Sequence, residues 1–442
     1  MTKPVFINKK IKNFKKKITI SGDKSLSIRW ALMASQATGK SKAYNLLNSE
    51  DVLSTIKCLK KLGTKINLKK NYCEIIGLGL NSFAFKKNLT LNAGNSGTLG
   101  RLILGLLIHY PHKVKLIGDK SLSKRDFLRV INPLKNFGAN FYQSGKSSLP
   151  LYIQGTKYVR PIKYYENRGS AQCKSSVMFA ALNTPGKTFI KAKKSRDHTE
   201  ILFKHLKIPI KIKKKKNFDL IEVEGKQNFL AFNYKIPSDI SSSAFFIVLA
   251  LLSKRSKLTI KNVNLNPSRI GIITILNKMG AKIILKNKKI YKGEKISDIF
   301  VKSVKSLKAI NCPSSLNASA IDEFLIIFLA AAKAKGVSYF KNLSELNQKE
   351  SPRLKLGSKI LNMMGIKTIL TNHSIKIFGQ PDIKLNKNIE IKNYLKDHRI
   401  FMMSAIAALS FGGKWKIHNK DSIQTSLPSF LTIIKKLGGK IK

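Results

Sequence analysis

The chain repeats one short pattern along its length: an apolar helical stretch, a glycine, and then a β-rich stretch. Five copies are clear, and their glycines are Gly63, Gly138, Gly280, Gly365 and Gly438. The second and third glycines lie about twice as far apart as the others, which indicates a further copy between them. The stretch 202–212 stands at that place, with Pro209 where the glycine turn is expected. Because glycine favours the left-handed stop of a helix, six degenerate copies of about 70–80 residues, each helix–turn–strand, are predicted.

A second pattern occurs once in each copy, where a polar segment leads directly into an apolar helix rich in small residues. The six stretches are 21–37, 92–108, 166–182, 237–252, 317–332 and 395–410. Helices that are apolar nearly all round are buried. Each repeat therefore reads β-α-β-α-β-β, with one buried and one amphipathic helix. The sequence predicts an α/β fold in which each domain bundles three buried helices inside walls of sheet and outer helices.

The polar segments lie at the N-termini of the predicted buried helices, where unpaired N–H groups and the helix dipole favour anions. Ser, Asp and Asn at such positions are also ordinary N-caps, and we expect this simpler role for 237–252. Capping does not explain the cations at the other helix ends, which are Lys24, Arg29, Arg101, Arg168 and Arg399. Two three-helix bundles that face each other would combine these ends into one electropositive cleft between domains.

The net charge of +60 suggests a nucleic-acid partner, but the composition favours a simpler interpretation. Of the 83 basic residues only 11 are Arg, and Lys, Ile and Asn are abundant throughout, as an AT-rich coding sequence would produce. Most lysines are therefore expected on solvated faces. Since only Arg offers a planar fork for a carboxylate or phosphate, each scarce Arg is a candidate functional residue.

Several classes of protein are excluded by simple counts. The longest apolar runs, 245–252 and 324–332, have eight or nine residues, whereas a transmembrane helix needs roughly 18. The basic N-terminus lacks the apolar stretch of a secretory signal. The cysteines form no CxxC and no pairing with His, so we expect a reducing, cytoplasmic location and neither a zinc site nor a disulfide framework. They are Cys58, Cys73, Cys173 and Cys312.

Seven motifs along the chain resemble, in order and spacing, those of the 3-phosphoshikimate 1-carboxyvinyltransferase (EPSP synthase) family. They are SGDKSLSIR (21–29), GNSGTLGR (94–101), GSAQCKSS (169–176), SRDHTE (195–200), AIDE (320–323), KESPR (349–353) and KDHR (396–399). The resemblance implies a two-domain inverse α/β barrel of six βαβαββ repeats, three per domain. It also implies that residues 1–20 plus 238–442 form one domain, that 21–237 form an inserted domain, and that the active site lies in the cleft between them.

The activity implied by the resemblance is transfer of the enolpyruvyl group of phosphoenolpyruvate to the 5-hydroxyl of shikimate 3-phosphate, with release of phosphate. This step belongs to the shikimate pathway, which leads to chorismate and the aromatic amino acids. The chemistry needs cationic forks, a general base and a general acid. We therefore expect two small anionic substrates, no cofactor or metal, no nucleic acid, no membrane, and a monomer.

The resemblance carries roles to individual residues. The shikimate 3-phosphate contacts are Lys24, Ser25, Arg29, Ser170, Gln172, Ser195, Asp322 and Lys349, with Arg196 beside Ser195. The phosphoenolpyruvate contacts are Lys24, Gly97, Arg125, Gln172, Arg353 and Arg399. The catalytic groups are Asp322, as proton acceptor for the 5-hydroxyl, Glu350, as second proton-transfer group, and Lys24.

The chain departs from the family pattern at three positions. Thr425 stands where many members carry a Lys, Pro352 replaces an acid, and Lys396 replaces an Asn. The first departure puts one basic phosphoenolpyruvate contact in question.

Two alternatives stay open at this point. A sister enolpyruvyl transferase acts on UDP-N-acetylglucosamine, but it typically has Lys-Asn in the first motif and a reactive Cys near the equivalent of Arg125. Here the first motif has Lys24-Ser25, and residues 112–129 contain no Cys. A basic RNA-binding protein would cluster its lysines among exposed aromatics, whereas the only dense run here is KIKKKK (211–216).

Overall fold

The computed structural model describes residues 3–143 and 148–442, which form two compact units. The middle unit consists of Gly22–Ile236 together with Tyr291–Glu294. The terminal unit consists of the chain up to Ser21, Pro237–Ile290 and Lys295–Lys442. The expected domain bounds, 1–20 plus 238–442 and 21–237, change over within one residue of the breaks at Ser21/Gly22 and Ile236/Pro237. The division into functional domains with a shared cleft stays a prediction.

The described part of the middle unit has three four-stranded sheets, each with one parallel and two antiparallel strand pairs. In sheet order the first contains Tyr234–Lys235, Thr38–Tyr44, Tyr72–Leu78 and Lys65–Lys69. The second contains Leu89–Asn92, Lys113–Ile117, Leu151–Gln154 and Asn140–Gln143. The third contains Lys163–Glu166, Lys187–Lys193, Phe218–Glu224 and Ile210–Lys214.

The described part of the terminal unit also has three sheets, of four, five and three strands, and the N-terminal segment supplies strands to two of them. One sheet contains Ile283–Tyr291, Glu294–Lys302, Lys257–Asn264 and Lys15–Thr19. A second contains Leu307–Lys308 and Asn311–Cys312, both paired with Ala334–Phe340, followed by Ile375–Gly379 and Thr368–Leu370. The third contains Val5–Ile7, Gly412–Ile417 and Leu385–Ile391. The last repeat is thus completed by a strand from the opposite end of the chain.

The α-helices divide into the two predicted kinds. In chain order they are α1 (Lys24–Ala34), α2 (Glu50–Lys61), α3 (Gly97–Leu107), α4 (Leu128–Asn136), α5 (Ala171–Leu182), α6 (His198–His205), α7 (Ile240–Leu252), α8 (Gly271–Lys278), α9 (Asn317–Ala320), α10 (Phe324–Ala332), α11 (Arg353–Met363), α12 (His398–Phe411) and α13 (Phe430–Lys436). In the middle unit the buried helix α3 packs against α1 and α5, and in the terminal unit α7, α10 and α12 pack together. Every residue of α7, α10 and α12 is buried, as the all-round apolar pattern predicts.

The repeat glycines adopt the left-handed conformation that the pattern predicts. Gly63, Gly138, Gly280, Gly365 and Gly438 have φ between 84° and 112°. In the copy without a glycine the prediction for Pro209 is wrong, because Lys207 supplies the turn with φ 57°. The proline ring holds φ near −65° and cannot adopt this conformation. Pro209 instead directly precedes the strand Ile210–Lys214.

The short apolar runs of the sequence predict no transmembrane helix. Within residues 3–143 and 148–442, no helix is both long enough and apolar enough to cross a bilayer.

We predict that Gly105→Ala destabilises the middle unit, because α3 and α5 approach closely at this glycine. A Cβ at Gly105 would lie 2.2 Å from the carbonyl oxygen of Ser176, and backbone cannot move aside as a side chain can. Overpacking of this kind costs about 1–3 kcal/mol, which urea denaturation measures.

Gly100→Ala is the matched control, because it lies on the same helix but its Cβ would meet atoms no closer than 3.4 Å. It should be neutral, or stabilising by up to about 1 kcal/mol through helix propensity. Equal unfolding midpoints for the two variants would contradict the close helix approach.

Candidate active site

In the middle unit, the N-terminus of α1 carries the first group of predicted site residues. Lys24 and Ser25 open the helix, and the side chain of Asp23 caps it by accepting from the backbone N–H of Leu26 at 2.9 Å. The ammonium group of Lys24 forms an ion pair with Asp51 at 3.1 Å. Asp51 lies in the first turn of α2 and is buried, so a fixed carboxylate holds the lysine.

Arg29 lies one turn further along α1 and is 3% exposed. Its Nε donates to Thr199 Oγ1 at 2.8 Å and its Nη2 donates to Ser175 Oγ at 3.0 Å. The remaining Nη1 donates to the carbonyl of Ser25 at 3.3 Å. Arg29 therefore joins α1 to α5 and to α6 through hydroxyl groups on those helices.

The first turns of α3 and α5 are joined by Gln172. Its Oε1 accepts from Arg101 Nη1 at 2.6 Å, and its Nε2 donates to Thr98 Oγ1 at 3.1 Å. Burial lowers the pKa of Arg101 to about 10, which leaves it cationic at neutral pH. Ser170 caps α5 by accepting from the backbone N–H of Cys173 at 3.3 Å.

Gly97 is the first residue of α3, and two guanidinium groups lie beside its backbone. A Cβ at this position would be 3.0 Å from Nη1 of Arg101 and 3.0 Å from Nη1 of Arg125. The N-terminal end of α3 therefore combines helix N–H groups with two arginines, an arrangement suited to a phosphate or carboxylate.

Ser195 and Arg196 lie in the segment between the strand Lys187–Lys193 and α6. The Oγ of Ser195 is buried and has no hydrogen-bond partner among residues 3–143 and 148–442. An unsatisfied buried hydroxyl is costly, so its position is consistent with contact to a ligand.

In the terminal unit, Arg353 at the start of α11 binds three carboxylates. It is 1% exposed, its Nε donates to Asp397 Oδ2 at 2.8 Å, and its Nη2 donates to Asp397 Oδ1 at 3.2 Å. Its Nη2 also donates to Glu350 Oε2 at 2.5 Å, and its Nη1 lies 3.6 Å from Asp322 Oδ1.

The charges of this cluster stabilise one another. Burial lowers the pKa of Arg353, but the carboxylates of Asp397 and Glu350 outweigh burial and raise it above its ordinary value. For Asp397 the balance is reversed: burial raises its pKa, and Arg353 outweighs burial, so the pKa lies below its ordinary value. Arg353 and Asp397 are therefore both ionised at neutral pH.

Asp322 lies in a turn between α9 and α10, in the polar segment that leads into the apolar helix. Its carboxylate lies 3.5 Å from the ammonium of Lys349, and its backbone carbonyl accepts from Arg399 Nη1 at 2.7 Å. The N-cap position of α10 belongs to Glu323, whose side chain makes no capping hydrogen bond.

Arg399 lies in the first turn of α12, where Asp397 is the N-cap and accepts from its backbone N–H at 2.9 Å. Next to it, Nδ1 of His398 lies 3.2 Å from Oγ1 of Thr425, the residue that replaces a family Lys. Arg168, which the sequence grouped with the helix-end cations, has a side chain that is 58% exposed and lies 3.9 Å from Asp126.

The structure thus groups the candidates within each unit. The middle unit contains Lys24, Ser25, Arg29, Gly97, Arg125, Ser170, Gln172, Ser195 and Arg196, and the terminal unit contains Asp322, Lys349, Glu350, Arg353 and Arg399. Sequence reasoning missed the acids Asp51 and Asp397 and the hydroxyls of Ser175 and Thr199. The two acids could have been suspected because the chain has only 23 acidic residues, and the two hydroxyls lie inside quoted motifs.

Comparison with known proteins identifies close relatives over almost the whole chain. The family model described as EPSP synthase (3-phosphoshikimate 1-carboxyvinyltransferase) matches residues 8–434. A 3-phosphoshikimate 1-carboxyvinyltransferase of Ruthia magnifica subsp. Calyptogena magnifica is 40% identical over 430 residues, covering 96% of this chain and 95% of the relative. The enzyme of the same name from Zymomonas mobilis subsp. mobilis is 36% identical over 451 residues, covering 100% and 99%.

Solved structures give the same result. EPSP synthase from Acinetobacter baumannii superposes with a TM-score of 0.88 at 33% identity, covering 100% of this chain and 99% of that one. The enolpyruvyl transferase NikO from Streptomyces tendae has a TM-score of 0.78 over 99% and 98% of the two chains, and at 13% identity it shows the fold alone. The predicted α/β fold class is confirmed.

We predict that Asp397→Asn lowers stability strongly at neutral pH and that its effect shrinks as the pH falls. The folded-state pKa of Asp397 lies below its ordinary value of 3.8. The stabilisation it gives is therefore present above that value and is lost as the pH drops through the lowered folded-state pKa. Removing one partner of a buried pair costs about 3–5 kcal/mol. Urea denaturation from neutral pH down to about pH 3 measures both quantities.

Asp421→Asn is the control, because its ion pair with Lys396 at 3.1 Å is largely exposed. An exposed pair contributes at most about 1 kcal/mol. A difference between wild type and Asp397→Asn that stays constant with pH would show that the carboxylate charge is not what stabilises the cluster.

Proposed function

Because the chain belongs to the EPSP synthase (3-phosphoshikimate 1-carboxyvinyltransferase) family, we propose that it transfers the enolpyruvyl group of phosphoenolpyruvate to the 5-hydroxyl of shikimate 3-phosphate, releasing phosphate. The observation that carries this proposal is the terminal-unit cluster, in which Asp322 and Glu350 both interact with the buried Arg353. Two carboxylates beside fixed cations suit a reaction between two anions that needs proton transfer at two positions.

The proton transfers are assigned to these carboxylates. Asp322 accepts the proton of the 5-hydroxyl as that oxygen attacks the substituted carbon of phosphoenolpyruvate. Glu350 delivers a proton to the methylene carbon, which becomes a methyl group in the tetrahedral intermediate. As the C–O bond to phosphate then breaks, Glu350 takes a proton back from that methyl group, and the carbon–carbon double bond re-forms. Lys349, 3.5 Å from Asp322, and Lys24 stabilise negative charge during these steps.

Phosphoenolpyruvate binding is assigned to Gly97, Arg125, Arg353 and Arg399, with Gln172 and Lys24. The support is the backbone of Gly97 beside two guanidinium groups, and the hydrogen bond from Arg399 to the Asp322 turn. Arginine forks bind phosphate and carboxylate through paired hydrogen bonds. That these groups from both units meet at one substrate is part of the proposal.

Shikimate 3-phosphate binding is assigned to Lys24, Ser25, Arg29, Ser170, Gln172, Ser195, Asp322 and Lys349. The unsatisfied buried hydroxyl of Ser195 supports this assignment, as does the position of Ser170 at the N-cap of α5. The N-terminal ends of α1 and α5 add helix N–H groups that favour a phosphate.

The alternative acceptor, UDP-N-acetylglucosamine, is not favoured, because a reactive thiol is absent from the described chain. All four cysteines are buried. Burial raises the pKa of Cys58 and Cys312 to about 11 and that of Cys73 to about 12, and burial also raises the pKa of Cys173. Thiols of this kind are poor nucleophiles at neutral pH.

The direct test is a phosphate-release assay with phosphoenolpyruvate and each acceptor in turn. We expect phosphate release with shikimate 3-phosphate and none with UDP-N-acetylglucosamine. Release with the nucleotide sugar alone would refute the proposal. Retention on heparin without phosphate release under either condition would favour the RNA-binding alternative.

We predict that Asp322→Ala and Glu350→Ala each lower turnover at least about 100-fold, because each removes a proton-transfer group. Steady-state kinetics with both substrates measures this, and the unfolding midpoint checks that the fold is intact. Glu345→Ala is the matched control, since Glu345 is an exposed acid in the segment preceding Glu350. Near wild-type turnover in both single variants would refute the assignment of Asp322 and Glu350 as proton-transfer groups.

We predict that Gly97→Ala raises the KM for phosphoenolpyruvate about tenfold or more, with a smaller effect on the KM for shikimate 3-phosphate. The added methyl group would contact Arg101 and Arg125 at 3.0 Å and displace their guanidinium groups. Gly100→Ala, three residues further along α3, should leave both constants near wild type. Unchanged kinetics in Gly97→Ala would remove this end of α3 from the phosphoenolpyruvate site.

The cytoplasmic location and the monomeric state stay predictions. Sedimentation of the purified protein, at 49.5 kDa per chain, tests the second.

A further inference from the structure

A fully buried ion pair in the middle unit has no role in the reaction described above. The ammonium of Lys174 on α5 lies 2.5 Å from Oε1 of Glu200 on α6, and their side chains are 0% and 3% exposed. Lys174 is the only buried lysine in the described part of the chain. In a protein with so many lysines on solvated faces, this burial requires an explanation.

The pair is an inefficient way to stabilise the fold. Removing two charges from water is costly, and their attraction offsets the cost only when the remaining polar atoms are also satisfied. Oε2 of Glu200 is buried and has no hydrogen-bond partner among residues 3–143 and 148–442. A well-packed apolar pair would therefore stabilise the interface between α5 and α6 at least as well.

The chain neighbours of the pair indicate what it does instead. Ser175 follows Lys174, and Thr199 precedes Glu200. Their hydroxyl oxygens lie 2.7 Å apart, and each accepts a hydrogen bond from the guanidinium of Arg29, at 3.0 and 2.8 Å. The ion pair and the hydroxyl pair thus connect the same two helices one residue apart, and the second connection holds Arg29.

We propose that Lys174 and Glu200 are positioning residues for shikimate 3-phosphate binding, because they fix the spacing of α5 and α6 and hence the hydroxyl cradle of Arg29. The inference rests on the proposed function, in which Arg29 contacts shikimate 3-phosphate. The attraction between two opposite charges in contact favours one separation of the two helices. An apolar contact is non-directional and allows the helices to slide past each other. Ser170 and Ser195 precede the N-termini of α5 and α6, so the distance between these two serines also depends on the helix spacing.

The first test replaces both charges together, with Lys174→Met plus Glu200→Met, so that no unpaired charge stays buried. We expect the unfolding midpoint to be unchanged or higher, and the KM for shikimate 3-phosphate to rise about tenfold while that for phosphoenolpyruvate changes less than about twofold. A purely structural pair would show the opposite: lower stability and both constants unchanged. Wild-type constants for both substrates in a folded double variant would overturn the proposal.

The second test examines the connection through the hydroxyl cradle of Arg29. Its single variant can be measured even if the double variant fails to fold. Thr199→Val is nearly isosteric and removes the hydroxyl that accepts from Arg29. It should raise the KM for shikimate 3-phosphate, and adding the two methionines to it should raise that KM little further, because all three act through one group. Fully additive effects, or no effect of Thr199→Val, would rule out the connection.

Two comparisons separate this proposal from general damage and from failure of the proposed function. Ile153→Val, a buried change in the second sheet, should lower stability by about 0.5–1.5 kcal/mol with both KM values unchanged. Turnover of the wild-type protein with shikimate 3-phosphate is measured first, and its absence would refute the proposed function. If the wild-type protein is active and the variants keep its KM for shikimate 3-phosphate, only the positioning role is refuted.

Discussion

The charge cluster around Arg353 is the interaction on which the chemistry of the terminal unit depends. Burying a charged guanidinium is costly unless the charge is compensated, and the carboxylates of Asp397 and Glu350 offset this cost for Arg353. Asp397 also caps α12 and thereby fixes the first turn in which Arg399 lies. Asp397, which has no proposed substrate contact, therefore positions both Arg353 and Arg399.

The same cluster contacts the turn that precedes the apolar helix of the fifth repeat. This turn, between α9 and α10, contains Asp322, which interacts through its backbone carbonyl and through its side chain. That carbonyl then accepts from Arg399 at 2.7 Å, while the side chain faces Lys349. Arg399 and Lys349 thus hold the turn that contains the proposed base.

Much of this architecture could be predicted from the chain, because repetition reveals local rules. The repeat glycines identified the ends of the amphipathic helices, and the all-round apolar stretches identified the buried ones. Prediction failed where a non-glycine residue took a glycine conformation, as Lys207 does. It also missed Asp397 and Thr199, since their partners lie far away in sequence and only the fold brings them together.

The charge of +60 acquires a physical meaning when buried and exposed cations are compared. On the sheets, lysines lie over neighbouring aromatic rings, with Lys113 4.6 Å from the centre of Tyr152 and Lys191 4.7 Å from that of Phe218. Exposed contacts of this kind are worth about 0.5–1 kcal/mol each, and lysine stems shield apolar surface from water. Lysines of this kind therefore have a structural role on the solvent-facing sheets.

Buried cations follow a different rule. The buried arginines of the described chain are Arg29, Arg269, Arg353 and Arg399. Arg269 donates to Asp239 at 3.0 Å and to Ser241 at 2.7 Å, at the N-terminus of α7, where only a capping role was expected from the sequence. Each of the four donates to fixed oxygen acceptors through a planar fork, which a single ammonium cannot reproduce. The buried arginines therefore organise helix ends, whereas the exposed lysines keep the protein surface hydrated. Burial distinguishes the two groups of cations, and the net charge does not.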